Sequence, residues 1–122
     1  MEEQKPSIYA KLANARQQFH GLRLTKSGKN KHMGYAYFEL GDFLIPGMQC
    51  MRDAGIIAIV SFESERCVMR IHELDGDGLI EIESPRSSVN LKACHEVQNL
   101  GAEETYQRRY LWMAALEIVE HD

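Results

Sequence analysis

Three short extended runs joined by four-residue links constrain this chain more than any other feature. Residues 56–62 are a nearly continuous apolar, β-branched run that reads as a buried strand. Residues 67–74 alternate, with Cys67, Met69 and Ile71 opposed to Val68, Arg70 and His72; residues 79–83 alternate again, with Ile80 and Ile82 opposed to Glu81 and Glu83. A period of two places successive side chains on opposite faces of a strand. The link Asp75-Gly76-Asp77-Gly78 is a hairpin signal, because Asp and Gly tolerate the positive φ of tight turns; Glu63-Ser64-Glu65-Arg66 is the other link. Links this short leave no room for a parallel crossover, so the three runs predict an antiparallel meander.

Helical patterns flank the meander. From Ser7, the recurrence of Ile8, Leu12, Ala15 and Phe19 predicts an amphipathic helix ending at Gly21. Thr25 to Gly34 is polar, basic and broken by two glycines, which predicts an exposed flexible loop, and Tyr35-Ala36-Tyr37-Phe38 follows as a short strand or extended arm. Asp42 is the expected cap of a second helix, with Pro46 near its first turn and Gly55 at its C-terminus. Residues 84–88 read as a loop and 89–100 as a helix or irregular connector. A last helix is expected over 102–119, with Tyr106, Tyr110, Met113, Ala114 and Glu117 along one side and Leu111, Ala115 and Ile118 beside them. Glu103 and Glu104 suit its first turn. The fold class is therefore α+β: a three-stranded antiparallel β-meander, plus a short N-terminal strand, packed against a long C-terminal helix, with two further helices. The 122 residues fit one domain, taken as 1–122.

A net charge of −4 argues at first against a nucleic-acid partner. The charge is segregated, however. Residues 1–38 hold seven basic side chains and two acids, a balance of +5, whereas residues 39–122 hold seven basic and sixteen acidic ones, a balance of −9. Gly21 to Phe38 contains Arg23, Lys26, Lys29, Lys31 and His32 and no carboxylate, so its positive field is not cancelled locally. Cys50, Cys67 and Cys94 are three widely spaced cysteines without a C-x-x-C pair, which points to a reducing cytoplasm rather than a disulfide framework. The polar, acidic N-terminus and the absence of a long apolar run argue against secretion and membrane insertion.

Several groups of residues have types and spacings that could carry chemistry. A calcium loop starting at Asp75 would need an oxygen ligand at position 79 and a Glu at 86, where Leu79 and Arg86 stand. Glu81 and Glu83 share a strand face, as a metal-dependent nuclease would want, with Asp75 nearby; acids on the open face of an antiparallel sheet are equally ordinary. Cys94-His95 is an isolated pair without a second pair at ligand spacing, so no metal is expected. Lys26-Ser-Gly-Lys29 lacks the upstream glycine of a phosphate-binding loop, so neither ATP nor another cofactor is expected. What remains is basic and aromatic: Lys26, Lys29 and Lys31 run directly into Tyr35, Tyr37 and Phe38, pairing charges for phosphates with rings that can stack on bases. The same pattern also fits a solvated loop entering an aromatic core strand. A second cluster places Arg108 and Arg109 about 100° apart on the last helix, so that one can bury while the other projects.

The segment Lys26-Ser-Gly-Lys-Asn-Lys-His-Met-Gly-Tyr-Ala-Tyr-Phe-Glu-Leu-Gly-Asp-Phe-Leu-Ile-Pro46, the helix-ending Gly55 and the run Gly101…Thr105-Tyr106-Gln-Arg-Arg109-Tyr110 together resemble the Erf-type single-strand annealing proteins of bacteriophages, over nearly the whole chain and in the same order. The resemblance implies an ATP-independent, non-enzymatic protein that coats single-stranded DNA and anneals complementary strands in phage recombination and repair. It implies a meander packed on a long helix, assembly into a ring or filament, and DNA in a positively charged groove. It places the protein in the bacterial host cytoplasm, with a phage exonuclease or a host single-strand-binding protein as partner. Lys26, Lys29, Lys31, Tyr35, Tyr37, Arg108 and Arg109 are the expected DNA-binding residues, with either arginine able to face DNA. Such proteins continue C-terminally beyond the motif helix, whereas this chain ends at Asp122, so a core without its tail is expected. The alternatives are a module that binds double-stranded nucleic acid, a metal-dependent nuclease using Glu81, Glu83 and Asp75, and a purely partner-binding domain.

Overall fold

In the computed structural model, residues 5–86 and 96–120 are described. Helix α1 (Ile8–His20) is followed by strands β1 (Gly28–Asn30) and β2 (Tyr35–Tyr37), helix α2 (Leu40–Ala54), strands β3 (Ile56–Phe62), β4 (Arg66–Glu73) and β5 (Leu79–Pro85), and helix α3 (Glu96–Leu116). The strands form two antiparallel sheets, a β1-β2 hairpin and a β3-β4-β5 meander. The α+β meander-and-helix architecture expected from the alternation is the one observed.

Register explains which face of the meander is buried. Val60, Met69 and Ile82 are neighbours across the three strands, as are Ala58, Ile71 and Ile80. This face meets Ile8, Leu12, Ala15 and Phe19 of α1, Phe43, Cys50 and Met51 of α2, and Leu111, Trp112, Ala115 and Leu116 of α3. The opposite face carries Ile57, Ile59, Arg70, His72, Glu81 and Glu83. β3 is therefore not the fully buried strand its apolar run suggested. It lies at the sheet edge, and Ile57 and Ile59 remain 46% and 51% exposed.

The helices meet through a close approach and through side-chain caps. A Cβ on Gly47 would stand 2.7 Å from Leu116 Cδ1 and 3.2 Å from Trp112 Cζ3, so only glycine lets α2 pack this closely on α3. Arg16 Nε donates to the Ala115 carbonyl at 2.7 Å, and His20 Nε2 lies 2.8 Å from the Leu116 carbonyl, so α1 supplies partners to the open C-terminal carbonyls of α3. On the far side, buried Lys11 reaches Glu73 at 2.9 Å and Asp75 at 2.5 Å, which ties α1 to the β4–β5 turn.

Four element boundaries differ from expectation. Strand β5 runs through Pro85, so Ser84 and Pro85 of the expected 84–88 loop belong to a strand, and residues 87–95 lie outside the described residues. The supposed flexible loop at 25–34 contains β1 and the turn of a hairpin. The N-cap of α2 is Glu39, and Asp42 stands three residues inside, where its carboxylate accepts the Glu39 N–H at 2.9 Å; Pro46 accordingly falls in the second turn. Helix α3 already includes Glu96 to Gly101 and ends at Leu116, where Glu117 takes φ 52° and the Ile118 N–H bonds back to the Met113 carbonyl at 2.9 Å. Cys94 and His95 lie outside the described residues. Among the described residues no helix is long and apolar enough to cross a membrane.

Candidate nucleic-acid interface

The β1-β2 hairpin is built by contacts far apart in local pattern. Ser27 donates both its N–H, at 2.9 Å, and its hydroxyl, at 2.7 Å, to the Asp42 carboxylate, anchoring the hairpin base to the start of α2. These bonds hold the Asp42 carboxyl below the usual carboxylate range, Ser27's N–H contributing most. Gly28 pairs with Tyr37, and a Cβ there would fall 2.3 Å from the Tyr37 ring, so the glycine gives the ring its seat. At the other end Asn30 Oδ1 accepts the His32 and Met33 N–H groups, each at 3.0 Å, and the Asn30 carbonyl accepts the Gly34 N–H at 2.9 Å. Gly34 has φ 73°, the left-handed conformation that closes the turn at little cost for glycine.

Between this hairpin and α3 runs an open groove of about 840 Å³. The hairpin wall presents Lys29, Lys31, His32, Tyr35 and Tyr37; the helix wall presents Thr105, Tyr106, Arg109, Tyr110 and Met113. Tyr106 and Tyr110 are four residues apart and so share a helix face. Their rings lie 6.0 Å apart with planes inclined by 21°, and both remain more than half exposed. Lys29 and Lys31 are exposed, and among the described residues neither forms an ion pair.

Arg109 has a different environment from the lysines. Its guanidinium donates to the Phe38 carbonyl and to Glu120 Oε1, the latter at 2.7 Å, and lies 5.6 Å from the Phe43 ring centroid. Glu120 Oε1 also accepts the Phe38 N–H at 3.1 Å. The Arg109–Glu120 pair therefore holds both backbone groups of Phe38, fastening the end of β2 to α3 and forming the closed side of the groove. Its charge is paired with that of Glu120.

Five of the seven residues expected to contact DNA, Lys29, Lys31, Tyr35, Tyr37 and Arg109, line the same groove. Lys26 and Arg108 do not. Lys26 Nζ lies 5.1 Å from the Phe38 ring centroid, and the Arg108 guanidinium lies 5.3 Å from that of Phe62 on β3. The consecutive arginines diverge as the helical angle requires, with Arg109 toward the groove and Arg108 toward the meander. His32, Tyr106, Tyr110 and Glu120 were missed as site residues. The two tyrosines had a signal in their four-residue spacing; Glu120 had none, since its partner is set by the chain's path beyond α3.

The carboxylates a nuclease would use are engaged elsewhere. Glu83 pairs with Arg66, Glu81 with Arg70 at 3.6 Å, and Glu63 with both Arg66 at 2.8 Å and Arg70 at 3.4 Å. Asp75 is bound to Lys11 on the α1 side. Among the described residues no cluster of three His, Cys, Asp or Glu could hold a metal ion. Cys50 and Cys67 are buried, and burial pushes both thiols up, away from the reactive thiolate form. Compared with protein-family models, curated proteins and solved structures, the chain matches none of them.

Proposed function

We propose that this protein binds single-stranded DNA along the hairpin–α3 groove and anneals complementary strands without ATP. It acts as a homo-oligomer in phage recombination within a bacterial host cytoplasm. The observation that carries the binding reading is the convergence on one open groove of two exposed lysines from the hairpin and two exposed, near-parallel tyrosines from α3. The annealing step rests on the sequence resemblance to Erf-type proteins.

The chemistry suits the task. Two bare strands repel each other, so an annealing protein must neutralise phosphates while leaving base edges free to pair. Lys29 and Lys31 supply point charges for phosphates; Tyr106 and Tyr110 supply faces on which any base can stack without its hydrogen-bonding edge being read. Tyr35 and Tyr37 form the floor on the hairpin side, and Arg109 holds the wall. A groove lined by two exposed lysines grips a strand weakly, and repetition of the groove in an oligomer multiplies that grip.

The test is duplex formation between two complementary oligonucleotides, without ATP and at two salt concentrations, with a single-strand versus duplex competition. Accelerated annealing and a preference for single strands are expected. Unchanged annealing rates refute the proposal, and a preference for duplex would favour a double-strand-binding module.

A further inference from the structure

The tip of the β1-β2 hairpin carries an apolar side chain in an unusual setting. Met33 is 71% exposed in a turn whose backbone is pinned. Asn30 Oδ1 holds the N–H groups of both His32 and Met33, and the Asn30 carbonyl holds that of Gly34. The hairpin base is fixed separately by the Ser27–Asp42 bonds and the seating of Tyr37 on Gly28. The two residues before Met33, Lys31 and His32, line the groove; Met33 is the next residue along the turn and is not itself part of the lining.

We propose that Met33 is a wedge, inserted between adjacent bases of the strand held in the groove. The inference rests on the single-strand reading above and adds the residue that shapes the bound strand. Insertion of an unbranched apolar side chain between bases unstacks them locally, and the cost is met by contacts the altered strand then makes. The pinned turn orders the backbone before binding, so the ordering cost of insertion is confined to the rotamer freedom of the Met33 side chain. Lys31, two residues away, can hold the phosphate flanking the opened step. A stacked single strand is a poor annealing partner, because its bases must separate and reorient before pairing; an opened step offers a place for pairing to start. The wedge thus connects an exposed methionine, which core packing does not require, to the annealing step.

The experiment uses the full chain and an oligonucleotide carrying 2-aminopurine between adenines, whose fluorescence rises when the base unstacks; binding is followed in parallel by anisotropy. The wild type is expected to raise the fluorescence about twofold or more at saturation, Met33→Ala to give less than about half that rise, and Met33→Leu to restore it. Because Met33 is exposed, all three proteins should share one thermal midpoint. Equal fluorescence from wild type and Met33→Ala, each saturated with the strand, overturns the wedge while leaving the groove assignment intact. Failure of the wild type to bind the strand overturns both.

Discussion

Replacing Lys29 and Lys31 together by alanine isolates the electrostatic part of the proposed groove. Lysine–phosphate contacts release condensed counterions, so the logarithm of single-strand affinity falls with the logarithm of salt by about 0.7 per contact. Two contacts amount to a slope of about 1.4, and a fourfold increase in salt, from about 50 to about 200 mM, then weakens wild-type binding about sevenfold more than binding by the double variant. Arg109 is left out of the count because Glu120 and the Phe38 carbonyl occupy its guanidinium. Lys26 is left out because it lies over Phe38 and outside the groove lining. Fluorescence anisotropy with an oligothymidylate, which has little stacking or secondary structure of its own, measures the slope at four salt concentrations. Both lysines are exposed and make no described ion pair, so the thermal midpoint should not move. A folded double variant with the wild-type slope would refute the assignment, and a larger slope change for Lys26→Ala than for Lys29→Ala would move the groove elsewhere.

Three further outcomes follow from the same geometry. Tyr106→Ala or Tyr110→Ala should each weaken single-strand binding by about 1–3 kcal/mol, the range for losing one base–aromatic stack, with no change in salt slope; unaltered affinity in both would leave the lysines without a stacking partner. Gly47→Leu forces a side chain into the space held by Leu116 and Trp112 and should cost about 1–3 kcal/mol in denaturant unfolding, whereas an unchanged midpoint would mean that α2 and α3 can part freely. The Asp42 carboxyl is held low in the folded chain, so its contribution to stability is fully present above the ordinary carboxylate value and lost as pH falls through the depressed one. The protection factor of the Ser27 N–H, taken relative to intrinsic exchange at each pH, should therefore fall as pH drops below the ordinary carboxylate value in the wild type, while in Asp42→Asn it should be lower and insensitive to pH across that range.

The meander strands and the first helix were legible because their signals are local. The alternation through Cys67, Met69 and Ile71, the Asp75-Gly-Asp-Gly turn and the spacing of Ile8, Leu12, Ala15 and Phe19 each need only neighbours along the chain. The hairpin at 28–37 was legible only in its second strand, at 35–37; β1 and the pairing were not. A stretch of lysine, glycine and asparagine resembles a loop until Tyr37 covers Gly28 and Asp42 fastens Ser27, and those partners are nine and fifteen residues away. Edge position likewise decided that the Ile57 and Ile59 side chains stay in solvent, which an apolar run cannot reveal.

By itself, the sequence determined the order of the helices and of the meander strands, the antiparallel meander itself and the concentration of uncompensated positive charge before residue 39. It also singled out lysines, tyrosines and arginines as the side chains with chemistry to offer. Only the tertiary structure decided which of them meet. Packing of α3 beside the hairpin put Tyr106 and Tyr110 opposite Lys29 and Lys31, turned Arg108 onto Phe62, and set Arg109 on Phe38 and Glu120. The physical reason is that residue type and periodicity define what a side chain can do and which face it occupies. Whether a charge remains available depends on partners supplied by distant segments, and Glu120, eleven residues beyond Arg109, is such a partner.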